Sequence, residues 1–222
     1  LSLKEVLQSV INDGDIELIP PRFQKIYFHW IDNLRDWCIS RQIWWGHRIP
    51  VWYRTDTDGK LETFVSVLPP SDESEGWNEW KQDPDTLDTW FSSALWTWST
   101  LVDKQKAEDY NLSLDDLLKS SPDFKAYHPT SGMETGWDIL FFWVARMILT
   151  TTYVTGEVPF KDVYLHGMVR AEDGKKMSKS RPDSIIDQLS VIPKYGTDAL
   201  RMALIMGVKP GNAQAWGWGK IE

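Results

Sequence analysis

Gly167-Met168-Val169-Arg170-Ala171-Glu172-Asp173-Gly174-Lys175-Lys176-Met177-Ser178-Lys179-Ser180-Arg181 is the stretch on which the reading of this chain turns. An apolar segment, Val163-Tyr164-Leu165, leads into it with the composition of a strand. Glu172-Asp173-Gly174 has turn chemistry and reverses the chain. Three lysines and an arginine then fall between positions 175 and 181, separated by two serines. The protein as a whole has a formal net charge of -8, so this basic loop is a local device and not part of a general polyanion surface. Ammonium groups, hydroxyls and loop N–H groups suit a polyphosphate whose charge rises during a reaction. For an arbitrary lysine pair a solvated hairpin tip is the plainer reading. The full pentapeptide Lys176-Met177-Ser178-Lys179-Ser180, after a strand and before a helix, favours the phosphate.

Working outward, the 222 residues are 42% apolar and 25% charged, an ordinary globular composition with room for one substantial core. Fourteen tryptophans need packing partners or a ligand to stack on, and Trp30, Trp37, Trp77 and Trp80 are expected in the core. The single cysteine, Cys38, excludes an internal disulfide framework and a cysteine zinc site, and fits a reducing cytoplasm. The most apolar run, Ile139 to Ala145, is too short to span a bilayer, and no membrane partner is expected. Leu1-Ser2-Leu3-Lys4-Glu5 reads as a helix start and not as a signal peptide.

Residues 3–13 carry Leu3, Val6, Leu7 and Val10 at helical spacing, and Ile16 to Ile19 alternate like a short strand. Phe23 onward reads as a helix, followed by a polar turn with Arg41, Trp45 and Gly46 and a strand over Ile49–Tyr53. Arginine beside tryptophan makes either a surface cation–π pair or a clamp for base and phosphate. Residues 54–82 have loop composition around a strand at Leu61–Leu68; Asp56 and Asp58 lack the ligand spacing of a calcium loop. Asp88 fits a helix N-cap, and 113–120 a short surface helix. Phe124–His128 reads as a strand, and Met133–Met147 as a helix buried nearly all round. Thr197 is expected to cap a last helix that stops near Gly207.

The Lys176–Ser180 pentapeptide resembles the second signature of class I aminoacyl-tRNA synthetases. Its neighbourhood, together with Ile39-Ser40-Arg41-Gln42, the Asp83–Trp96 segment, Thr135-Gly136-Trp137-Asp138-Ile139 and Tyr195–Arg201, is similar to the valyl-tRNA synthetases. The resemblance implies an α/β fold: the second half of a Rossmann-like, doubly wound parallel sheet with an inserted loop and strand region. In that reading residues 1–22 are the tail of an upstream inserted (editing) domain, 23–53 re-enter the catalytic domain, 54–82 are a variable insertion, and 83–222 are the second catalytic half. The His-Ile-Gly-His signature of the family has no counterpart, since none of His29, His47, His128 and His166 has a partner three residues away. The expected polypeptide is therefore a piece of a valine-tRNA ligase whose N-terminal half is a missing partner; the alternatives are an isoleucyl or leucyl relative, or an inactive tRNA- or ATP-binding fragment.

The implied reaction joins valine to tRNA(Val) with ATP and its Mg2+, without zinc. Lys176 and Lys179 would act catalytically on the phosphates. Glu134, Gly136, Asp138, His166, Gly167, Val169 and Ser178 join them in the ATP site. Trp90, Ile139 and Trp143 would line the amino-acid pocket, and Arg41 and Trp45 would face the tRNA 3′ end. Each has a plainer alternative: core packing for Trp90, Ile139 and Trp143, a helix cap for Asp138, a structural histidine for His166. Arg181-Pro182-Asp183 departs from the Lys-Gly-Asn common after the signature, which implies a stiffer loop.

Overall fold

The computed structural model describes residues 2–70 and 80–222. In chain order the elements are helix α1 (Leu3–Asn12), strand β1 (Glu17–Ile19), helix α2 (Phe23–Asp32), strands β2 (Ser40–Arg41), β3 (Val51–Thr55), β4 (Leu61–Val65), β5 (Lys81–Gln82) and β6 (Thr86–Leu87), and helices α3 (Thr89–Ser93), α4 (Trp96–Ser99), α5 (Leu114–Ser120) and α6 (Pro122–Tyr127). Strand β7 (Thr130–Gly136), helix α7 (Arg146–Thr155), strands β8 (Phe160–His166) and β9 (Val169–Arg170), helices α8 (Gln188–Tyr195) and α9 (Thr197–Ile205) and strand β10 (Gln214–Ala215) follow. The chain divides into two compact units, one formed by residues 1–34 with 97–222, the other by residues 35–96.

The larger unit is built on a parallel sheet in the order β1-β8-β7. Parallel neighbours need a crossover. Between β7 and β8 it is supplied by a 3-10 turn (Trp137–Ile139), a π-helix (Leu140–Ala145) and α7. Val163 and Leu165 of β8 point to one face beside Leu18 of β1 and Met133 of β7, as strand alternation dictates. On that face they join Leu7, Val10 and Ile11 of α1, Tyr27 and Ile31 of α2, and Val144, Met147 and Ile148 of the crossover in one buried cluster. Tyr27 brings its hydroxyl into this cluster only because it donates to the carbonyl of Leu7 at 3.0 Å. Ser2 caps α1 through a reciprocal box with Glu5. A second cluster gathers Val191, Leu200, Ala203, Trp216 and Ile221 around α8 and α9.

β1 lies in the same sheet as β7 and β8, and α1 is buried in the same core. Several expectations are corrected. Phe124–His128 is helical and not a strand. Pro122 opens that helix, and Phe124 and His128, four apart, stack at 4.4 Å. Met133–Gly136 is the end of a strand, so the buried helix starts later than its apolar run suggests. Gly196, not Thr197, is the cap residue of α9, and no side chain caps that end. Trp30 is 46% exposed and stacks on Phe141, while Trp37 and Trp80 are half-buried. Trp77 lies outside the described residues.

In the smaller unit β4, β3 and β5 form an antiparallel sheet and β2 pairs with β6. Residues 35–96 form this unit, which contains the stretch 54–82. Among the described residues no helix is long and apolar enough to cross a membrane.

His128 gives the larger unit a pH dependence. Its side chain is 0% exposed. Burial holds its pKa below the ordinary histidine value, against the opposing pull of Glu157, 3.8 Å away, and of the Thr97 backbone. A folded-state value below the unfolded one means that the unfolded chain takes up the proton first as pH falls. Stability is therefore full above about pH 6.5 and declines below it, by at most about 1.4 kcal/mol per pH unit, until the folded histidine titrates as well. His128→Phe should flatten this limb in urea titrations at successive pH values. An unchanged slope would remove His128 as its source.

Candidate functional site

Strands β7 and β8 end side by side, with Gly136 paired to His166 and Glu134 to Tyr164. The C-terminal edge of a parallel sheet is where α/β folds leave room for ligands, because the chain must turn there into its crossover. At this edge Glu134 Oε1 lies 3.4 Å from His166 Nε2, and the pair is half-exposed. His166 Nδ1 donates to the carbonyl of Gly167 at 2.9 Å, which fixes the ring beside the turn. Asp138 folds its carboxylate back over Gly136: a Cβ there would sit 2.6 Å from Asp138 Oδ1, with His166 and Met168 next nearest at 3.6 Å. Asp138 lies in the first turn of the 3-10 segment Trp137–Ile139, whose cap position is Gly136. Glu134, Gly136, Asp138, His166 and Gly167 are thus brought together, with Met168 as a member that sequence reasoning missed.

Gly167 leaves no room for a side chain. An added Cβ would lie 1.5 Å from the carbonyl oxygen of Asn212. The close approach is to the chain's own backbone, which arrives from the far end of the sequence. Gln214 N then donates to Met168 O at 2.9 Å, β10 pairs parallel with β9, and Trp216 N donates to Arg170 O at 2.9 Å. The C-terminal segment therefore straps down the stem of the lysine loop.

From that stem the loop leaves as a small hairpin. Ala171 N bonds Lys175 O, Gly174 N bonds Ala171 O, and Arg170 bridges to Lys176. Lys176 and Lys179 are exposed, and among the described residues neither is in an ion pair. Ser178 turns inward to Ser180, Oγ to Oγ at 2.7 Å. Arg181, where the sequence leaves the family pattern, spans the loop: Nη1 reaches Asp173 at 3.0 Å and Nη2 donates to Lys176 O at 3.0 Å. The Lys175 backbone N–H, then the Arg181 guanidinium, hold the Asp173 carboxyl below the usual carboxylate range. The departure was legible; its partner was not. Val169 is exposed on β9, at the base of this hairpin.

The remaining expected residues are more scattered. Ile139 sits in the 3-10 turn and Trp143 in the π-helix, both partly buried, so the α-helical spacing of four does not define their common face. Trp90, in the smaller unit, follows the cap Asp88, whose Oδ1 accepts its N–H at 2.7 Å. Asp88 also holds Arg41: Nη2 to Oδ2 is 2.7 Å, and Arg41 Nη1 bonds the carbonyls of Cys38 and Ser40. The Arg41 guanidinium is therefore spent within its own unit. Trp44 and Trp45, by contrast, are 105% and 93% exposed. Among the described residues no group of three or more His, Cys, Asp or Glu could hold a metal ion.

The strand ends of this parallel sheet meet an acidic–glycine turn, and a lysine loop leaves from the second of them. Residues 2–216 match the family of tRNA synthetases class I (I, L, M and V), and the chain belongs to that family. Within it, the chain is similar to the valine--tRNA ligase of Geobacillus stearothermophilus, 48% identical over 210 residues, which are 95% of this chain and 22% of that protein. The valine--tRNA ligase of Bacillus subtilis is 47% identical over 207 residues, 93% of this chain and 21% of its own. The chain thus spans about a fifth of the length of these curated relatives. Among solved structures, the Mycobacterium tuberculosis methionyl-tRNA synthetase in complex with methionyl-adenylate superposes with TM-score 0.65 at 18% identity, covering 99% of this chain and 34% of that one. An Agrobacterium radiobacter LeuRS in a ternary complex with tRNA and LeuAMS gives 0.62 at 22% identity, over 85% and 26%. These likenesses bear out the Rossmann-like α/β fold.

Proposed function

We propose that this chain is the phosphate-handling half of the catalytic domain of a valine--tRNA ligase. The observation that carries the reading is the convergence of the Gly136–Asp138 turn and the His166–Gly167 turn on adjacent strand ends, with the Lys176–Ser180 loop leaving the second of them. The names of its relatives support valine as the amino acid. The valine carboxylate attacks the α-phosphorus of ATP, pyrophosphate leaves, and a terminal hydroxyl of tRNA(Val) takes the valyl group from the adenylate. Magnesium arrives with ATP as part of the substrate. Glu134, Asp138, His166 and Val169 are proposed to hold the nucleoside and the amino group, and Ser178 with the loop N–H groups its phosphates. Lys176 and Lys179 neutralise the negative charge that grows on the departing pyrophosphate, the role that fixed cations play best in a site with little water. Ile139 and Trp143 are proposed for the valine side chain. Trp45 is the better of the two residues proposed for the tRNA 3′ end, since its ring is open for stacking and Arg41 is held by Asp88. The reaction belongs to the cytoplasm, where tRNA is charged.

The test is amino-acid-dependent ATP–pyrophosphate exchange by the complete enzyme that carries this segment. Valine should support it, with isoleucine and leucine at least about tenfold poorer. Exchange driven by isoleucine or leucine instead would move the chain to another branch. The 222-residue chain by itself should form no adenylate.

A further inference from the structure

The molecule holds its two ligand turns in register through a dipeptide far from both in sequence. Phe23 is 5% exposed and stacks on Trp137, rings 6.2 Å apart and 18° from parallel. Trp137 is the residue between Gly136 and Asp138. Arg22, immediately before Phe23, donates from Nη2 to the carbonyl of Pro210 at 2.8 Å and to Asn212 Oδ1 at 2.7 Å. Asn212 is the residue whose carbonyl fills the space beside Gly167. Gly211 lies between these two acceptors with φ +72°, and a Cβ there would come within 2.4 Å of Phe23 Cε2 and 2.5 Å of Arg22 Nη2. The 209–213 turn is therefore seated on the Arg22–Phe23 pair, with no room for a side chain at its centre. From Asn212 the strap continues through β10 to the stem of the lysine loop.

We propose that Arg22 is a positioning residue: with Phe23 as its anchor it braces the Gly167 turn and the lysine-loop stem against the Gly136 turn. The consequence for catalysis rests on the nucleotide reading above; the brace itself does not. Arg22 touches no reacting atom. It acts through Pro210 and Asn212, and its guanidinium suits this because one planar group reaches a carbonyl and an amide oxygen together. Pro20 and Pro21 stiffen the backbone just before it, and the buried Phe23 ring fixes the point from which it reaches. Loss of the brace frees the strap and so the loop stem, while α1, β1, β7 and β8 keep their core.

The test is limited trypsin digestion of the 222-residue chain. Arg22→Met should speed cleavage after Lys175, Lys176 and Lys179 at least about fivefold, while cleavage after Lys119 and Lys125 on α5 and α6 stays unchanged. Arg22→Lys, which keeps one of the two bonds, should fall between. Gly211→Ala should give the same pattern with Arg22 intact. Unchanged loop cleavage in both Arg22→Met and Gly211→Ala would overturn the brace, and so would an equal rise at every site, which reports a general loss of stability. In the complete enzyme, Arg22→Met should lower kcat for exchange about tenfold and leave KM for valine in place. Absence of valine-dependent exchange in the unmodified enzyme would instead overturn the functional reading, and the cleavage pattern would still decide the brace.

Discussion

Lys179→Ala in the complete enzyme is expected to cut valine-dependent ATP–pyrophosphate exchange at least about a hundredfold, a barrier increase on the order of 3 kcal/mol. The side chain is exposed in this structure and outside any ion pair among the described residues, so its removal breaks no internal contact of that kind. Its effect should fall on the charge that appears as the bond to pyrophosphate breaks. An interaction made only at that stage lowers kcat and kcat/KM together and leaves KM for ATP near its original value. Lys176→Ala should act in the same direction. Lys125→Ala on α6 serves as the control for a lost positive charge outside the site and should leave exchange unchanged. Near-normal exchange in Lys179→Ala would refute the catalytic assignment.

The second large effect is on folding. Gly167→Ala is expected to destabilise the larger unit by more than about 3 kcal/mol, because the new Cβ would have to occupy the position of the Asn212 carbonyl carbon and oxygen. No rotamer relieves this clash, since both sides are backbone. The strap must lift from the turn, and the hydrogen bonds of Gln214 and Trp216 to the loop stem are lost with it. Urea unfolding followed by tryptophan fluorescence would measure the change. Gly219→Ala, where an added Cβ meets nothing within 4 Å, is the matched control and should alter stability little. A Gly167→Ala midpoint close to the parent would mean that the strap does not pack against Gly167.

What the sequence made legible follows from how local each signal is. The β8 strand and the lysine hairpin are contiguous, so their apolar alternation, turn residues and charges could be read in one pass. Asp88 stands directly before its helix and caps it through the backbone N–H two residues on. The failures occur where two periods fit the same few residues. Phe124 and His128 are compatible with alternation, but their spacing of four is the helical contact that forms. Met133 to Gly136 blends into an apolar run, and only pairing with β8 makes it a strand. Non-local contacts left no trace: Arg22 and Asn212 meet across 190 positions, and neither residue type announces the other. The same holds for β1, whose three residues become part of the central sheet only through β8. The family resemblance carried the site residues further than spacing did. It could not reveal that Arg41 is engaged by Asp88, or that the space beside Gly167 belongs to the polypeptide itself.

Arg181 ties Asp173 to the backbone of Lys176, joining the outgoing and returning limbs of the hairpin. A hairpin cross-linked in this way is already a closed ring before any anion arrives. Its two limbs are joined through the Arg181 side chain on folding, so the tip has less conformational freedom than an unlinked one. The same cross-link makes the tip sensitive to acid: once Asp173 is protonated the ring opens on one side, and the lysines lose their common frame.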